Sequence, residues 1–157
     1  MARIGIDFDG CCIVALPELG WCDVDTGAAR VLGRLVEAGH ELYLWTCRNE
    51  DPRNPYNWSS GELRSENSLQ EAIRWFNERN IPLAGVNNCP DQVRQIGDSR
   101  KLLVDILIDD TNLGAKFTVG EVEYVAYETG ELKKTQTYSL DWNWVESELT
   151  ELGLLNE

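Results

Sequence analysis

Three short apolar runs in this chain stop abruptly against acidic or small polar residues, and that pattern restricts the fold more than any other feature. Arg3-Ile4-Gly5-Ile6-Asp7-Phe8 breaks off at Asp9-Gly10, Glu41 to Trp45 at Thr46-Cys47-Arg48, and Leu102 to Ile108 at Asp109-Asp110. Short continuous apolar runs bounded by turn formers read as buried strands. Between them lie segments of helical period. After Asp25 or Thr26, both good N-caps, Ala28, Val31, Leu32, Leu35 and Val36 mark one helical face that Gly39 terminates. Ser68 and Glu71 have the spacing of a capping box, followed by Leu69, Ala72, Ile73 and Phe76 on one face until Asn80, before Pro82. Leu83 to Val86 is a weaker strand. Alternating strands and helices predict an α/β fold, a three-layer α/β/α sandwich around a central parallel sheet with right-handed crossovers.

Two segments fall outside the alternation. Residues 49–64 are rich in turn formers and directly follow the second strand, where a loop of that length is expected to serve the site. From Phe117 the chain predicts a β-hairpin around Glu128-Thr129-Gly130-Glu131 and a short helix capped by Asp141, with Trp142, Val145 and Leu149 facing inward. This tail, residues 117–157, reads as packing on the core. A chain of 157 residues, 43% of them hydrophobic, suffices for one domain over residues 1–157.

Composition excludes several functions. The net charge of −13 and the lack of a basic stripe argue against a nucleic-acid polymer as partner, because such binding depends on Lys and Arg neutralising phosphates. Arg3, Asp7 and Asp9 interrupt the first apolar stretch, so no signal peptide is expected, and no run approaches the roughly 18 apolar residues of a membrane span. The expectation is a cytoplasmic protein with no membrane partner; an oligomer is compatible with the sequence. Cys11, Cys12, Cys22, Cys47 and Cys89 lack CxxC spacing and His40 is the only histidine, which disfavours zinc and fits reduced thiols.

In a doubly wound sheet, ligands bind beyond the carboxyl ends of the strands, where strand order reverses. The polar residues ending the three runs would therefore meet: Asp7 and Asp9, Thr46 and Arg48, and Asp109 and Asp110. Clustered carboxylates repel unless a divalent cation joins them, and an all-oxygen set suits Mg²⁺. With that charge and a cation such as Lys101 on the phosphate, one carboxylate serves as nucleophile while another protonates the leaving alkoxide and later activates water. A lone Asp-x-Asp reads more readily as an ordinary turn or cap than as a catalytic pair; the ordered set carries more weight.

Asp7-Phe8-Asp9-Gly10, Thr46, Lys101 and Asp109-Asp110 resemble, in order and rough spacing, the four motifs of the haloacid dehalogenase-like superfamily, over residues 2 to about 114. The resemblance implies a Rossmann-like fold, with Asp7 as nucleophile and Mg²⁺ ligand. Asp9 would be the general acid and base, its main-chain carbonyl on the metal. Thr46 would hydrogen-bond a phosphoryl oxygen, Lys101 would hold nucleophile and phosphate, and Asp109 and Asp110 would bind Mg²⁺ directly or through water. Asp9 favours phosphatases over dehalogenases, which lack an acid there. Pro17-Glu18-Leu19-Gly20, Leu44-Trp45-Thr46-Cys47-Arg48, Ser99-Arg100-Lys101 and Ile108-Asp109-Asp110-Thr111-Asn112-Leu113-Gly114 look like small capless bacterial and phage members. Cys11, where Thr commonly follows the glycine, and the 49–64 loop are departures.

The expected partner is a small phosphorylated substrate, with Gly10, Cys47, Arg48 and Asn88 as its candidate contacts. Alternative readings attach to several of these residues. Arg48 binds phosphate or makes a surface ion pair; Arg100 competes with Lys101; Asn88 faces the pocket or caps a turn. Tyr56 and Trp58 stack on a base or anchor their loop, and the stacking role would suit a nucleotide-directed phosphatase. A catalytically idle binding module of the same fold is the remaining alternative.

Overall fold

The structure is a computed structural model that describes residues 1–16, 20–50, 68–90, 92, 94, 102–126 and 129–156. Lys101, Arg100, Tyr56, Trp58, Pro17 to Leu19 and most of the 49–64 loop lie outside the described residues.

The chain is α/β, with a four-stranded parallel sheet flanked by helices and two small antiparallel pairs. Strand β1 is Arg3–Ile6, and β2 (Val14–Leu16) and β3 (Gly20–Cys22) form a hairpin after it. Helix α1 is Ala28–Glu37, β4 Glu41–Leu44, α2 Ser68–Glu78, β5 Gly85–Val86 and β6 Ile106–Ile108. The tail supplies β7 (Phe117–Val125), β8 (Leu132–Leu140) and helix α3 (Trp142–Glu151). The sheet order is β5-β4-β1-β6, so the chain steps outward from β1 through β4 to β5 and then returns to β1's other side. Strand order therefore reverses at β1.

The strand ends are level. Ile6 pairs with both Leu44 and Ile108, and Leu44 pairs with Val86. Beyond them Asp7 N donates to Ile108 O (2.9 Å), Trp45 N to Ile6 O (2.8 Å) and Asn87 N to Leu44 O (2.8 Å). Because all four strands run the same way, the residues following β1, β4, β5 and β6 share one edge of the sheet.

Ile4, Ile6, Leu42 and Leu44 of the sheet join Val31, Leu32 and Leu35 of α1 and Ala72 and Phe76 of α2 in one buried cluster. Phe8 extends this core toward the sheet edge, with its ring against Trp75 and Phe76 at centroid distances of 5.8 and 6.1 Å. Helix α3 closes it with Trp142, Val145 and Leu149, the three residues expected to face inward. Asp141 caps α3 as the sequence predicts, its Oδ1 accepting from Asn143 N (3.0 Å) and Trp144 N (3.1 Å).

Several boundaries differ from expectation. Strand β6 begins at Ile106 because Asp105 breaks the run, its Oδ2 accepting from Arg3 N at 2.7 Å. At α1 the position before the helix is Gly27 in the left-handed region, with Asp25 and Thr26 instead bonding Gly27 N and Ala28 N (2.9 and 3.3 Å). The β2-β3 hairpin is absent from the sequence reading; its runs are too short for a periodic signal. None of the described helices is long and apolar enough to cross a membrane.

Candidate active site

The chain after β1 makes a tight turn in which Cys12 N and Ile13 N both return to Phe8 O, at 2.9 and 3.3 Å. Gly10, at φ +88°, occupies a conformation that side-chain-bearing residues rarely adopt. A Cβ there would lie 2.3 Å from Asp110 Oδ2, so only glycine lets the carboxylate from β6 approach this turn. The tail braces the turn from outside: Leu140 N donates to Gly10 O (2.9 Å) and the buried Trp142 Nε1 to Cys11 O (2.8 Å).

Three groups converge here. Ligand atoms of Asp7, Cys11 and Asp110 lie within 4.8 Å of one another. Burial pushes the Asp7 carboxyl up to about 8, opposed by the Phe8 backbone hydrogen bond and reinforced by the charges of Asp109, Asp9 and Asp110. Asp110 is raised by burial and then by Asp109. The buried Cys11 thiol is raised as well, by burial first and then by Asp7, which keeps it neutral and a poor ligand for a hard cation. Asp109 is turned partly toward its own loop, its Oδ1 accepting from Thr111 N (2.7 Å) and Thr111 Oγ1 (2.6 Å).

Asp9 belongs to a different arrangement. Arg48, only 3% exposed, donates from Nε to both Asp9 oxygens at 3.0 Å and from Nη2 to Oδ1 at 2.7 Å. The guanidinium lies 4.8 Å from the centre of the Phe8 ring, and Nη1 reaches Ser68 O at 3.3 Å and Glu71 Oε2 at 3.5 Å. Burial raises the Asp9 carboxyl, and Arg48's hydrogen bonds and charge oppose the rise. Arg48 is thus in an ion pair, but a buried one at the site instead of a pair on the surface. Ser68 and Glu71, read in the sequence as a capping box, face this cluster: Ser68 Oγ donates to Asn49 O (3.3 Å), and the Glu71 carboxylate pairs with the Arg48 guanidinium.

Thr46 follows β4 at the same edge, its Oγ1 accepting from Arg48 N at 3.2 Å. Asn87, the residue after β5, braces that loop through Thr46 N→Oδ1 (2.8 Å) and Nδ2→Arg48 O (3.5 Å). The sequence reading singled out Asn88, which is exposed, and missed Asn87; the left-handed backbone of Asn87 (φ 51°) is invisible to apolar pattern. Cys47 is exposed, and its thiol is raised by burial, then by Asp7, Asp9 and Asp109, which puts it on the same electrostatic face.

The donor set fits a hard divalent cation. Asp7 and Asp110 offer carboxylate oxygens in reach of one another, the charge of Asp110 adds to the rise at Asp7, and Arg48 directs its contacts to Asp9, Ser68 and Glu71.

No family model and no curated protein matches the sequence. A solved structure described as that of the conserved protein coded by a locus from Bacteroides thetaiotaomicron superposes with a TM-score of 0.53 at 28% identity. The match covers 72% of this chain and 78% of that one.

Proposed function

We propose that this chain is a magnesium-dependent phosphomonoester hydrolase of the haloacid dehalogenase-like type, a capless three-layer sandwich acting on a small phosphorylated metabolite. The observation that carries the reading is the meeting of Asp7 with Asp110 at adjacent parallel strand ends, where strand order reverses. Asp7 is a carboxyl raised by burial first and then by its acidic neighbours, a second carboxylate stands two residues on, and the Thr46 hydroxyl follows the next strand of the sheet.

Asp7, the main-chain carbonyl of Asp9, and Asp110 with Asp109 would hold Mg²⁺. When bound, the ion supplies positive charge that keeps Asp7 ionised and offsets the substrate phosphate. An Asp7 oxygen then attacks phosphorus. The Asp7 O–P bond forms as the ester O–P bond breaks, and the ester oxygen leaves with the electron pair and takes a proton from Asp9. In the second step water attacks the aspartyl-phosphate, giving its proton to Asp9 as the Asp7 O–P bond breaks and phosphate departs. Thr46 at the same edge has a hydroxyl for a phosphoryl oxygen, and the resemblance assigns Lys101 to the nucleophile and phosphate.

The test is hydrolysis of p-nitrophenyl phosphate with Mg²⁺, with chelator, and by Asp7→Asn. Turnover that needs Mg²⁺ and vanishes in the variant is expected. Equal rates for wild type and variant would overturn the proposal.

A further inference from the structure

We infer that Arg48 is a positioning residue that sets the orientation and proton-carrying oxygen of Asp9, and is not a ligand of the substrate phosphate. The inference rests on the phosphatase reading and adds to it a residue with a defined task.

A guanidinium only 3% exposed has little surface to offer a substrate, and its three nitrogens point elsewhere: Nε and Nη2 to Asp9, Nη1 to Ser68 O and Glu71. Its central carbon lies over the ring of Phe8, the residue between the two catalytic carboxylates. Packing, an aromatic face and a backbone carbonyl therefore fix the arginine, and the arginine fixes Asp9. Lysine would not reproduce this, because the planar fork is what reaches two oxygens at once.

The hydrogen bonds also distinguish the two Asp9 oxygens. Oδ1 accepts from Nη2 at 2.7 Å and from Nε at 3.0 Å, whereas among the described residues Oδ2 shares only Nε, at 3.0 Å. Oδ2 is the oxygen with the larger unused acceptor capacity, so it is the one to hold a proton and pass it to the leaving oxygen. Arg48 also ties this geometry to the start of α2 through Ser68 and to the β4 loop through its own backbone, which bonds Thr46 and Asn87.

The experiment measures kcat/KM for wild type, Arg48→Lys and Arg48→Met on phosphate esters of rising leaving-group basicity, from 2,4-dinitrophenyl phosphate to an alkyl phosphate. This ratio covers the steps up to leaving-group departure. Good leaving groups depart without an acid; alkoxides do not. A positioning role predicts a loss of about 10²-fold on the alkyl ester and less than about threefold on the dinitrophenyl ester. Arg48→Lys keeps the buried charge and decides the question if Arg48→Met does not fold. A uniform loss across the series with raised KM would make Arg48 a phosphate ligand and overturn the inference. A uniform loss in kcat/KM at unchanged KM, tracking a lowered Tm, would make it structural and overturn it too. Failure of wild type on every ester, with Asp7→Asn indistinguishable from it, would remove the phosphatase reading itself and the inference with it.

Discussion

Replacing Asp7 with asparagine should make the metal-free protein more stable while abolishing its chemistry. The Asp7 carboxyl ionises near 3.8 when freely solvated and near 8 in the folded chain, chiefly through burial, with Asp109, Asp9 and Asp110 adding to the rise. A folded-state pKa above the unfolded one means that the native state holds the proton more tightly. The group's contribution to stability is then fully present below about 3.8 and is lost as pH rises toward about 8. At pH 7 that loss amounts to about 4 kcal/mol, and relaxation and water entry reduce it to about 2 to 4 kcal/mol. Asparagine has nearly the shape of the protonated acid and nothing to ionise, so Asp7→Asn recovers this amount. For a chain of this size the gain corresponds to roughly 5–15 °C in Tm. Thermal unfolding of both proteins in chelator, followed by circular dichroism from pH 4 to pH 8, measures it. The gap should be near zero at pH 4 and widen steadily with pH. Equal melting temperatures at pH 8, or a variant less stable throughout, would refute the reasoning.

Two further outcomes follow from the same cluster. Mg²⁺ at about 100 times its Kd should stabilise wild type by about 2.7 kcal/mol and leave Asp7→Asn nearly unmoved. Its affinity should rise with pH, since Asp7 and Asp110 must lose protons to bind it; calorimetry in buffers of different ionisation enthalpy reads the protons released. Gly10→Ala should cost about 1 to 3 kcal/mol in chemical denaturation and weaken Mg²⁺ binding, because its Cβ at φ +88° meets Asp110 Oδ2 at 2.3 Å.

What the sequence revealed of this site followed from one rule, that parallel strands deliver their last residues to a common edge. The apolar runs ending in Asp7, Thr46 and Asp109 marked β1, β4 and β6. Their convergence then required only the reversal of strand order that α/β connections impose. Asp141 and the Trp142, Val145, Leu149 face were equally legible, since caps and helical spacing are local. The Arg48–Asp9 pair was not, because 39 residues separate its partners and nothing in a Thr-Cys-Arg sequence distinguishes a buried guanidinium from a solvated one. Asn87 was missed for a related reason: its task is to hold a backbone through side-chain hydrogen bonds, and that leaves no trace in hydrophobic period. The reason for Gly10 emerged only with Asp110 in place above it.

The account's central claim is that phosphorus is transferred to Asp7 on its way to water. Wild-type protein mixed with p-nitrophenyl phosphate and Mg²⁺, quenched in acid within the first turnover and mapped by peptide mass spectrometry, tests this most directly. The account predicts one phosphoryl group on the peptide carrying Asp7, absent when Asp7→Asn is treated in the same way. Burst release of nitrophenol with that peptide unmodified would contradict it.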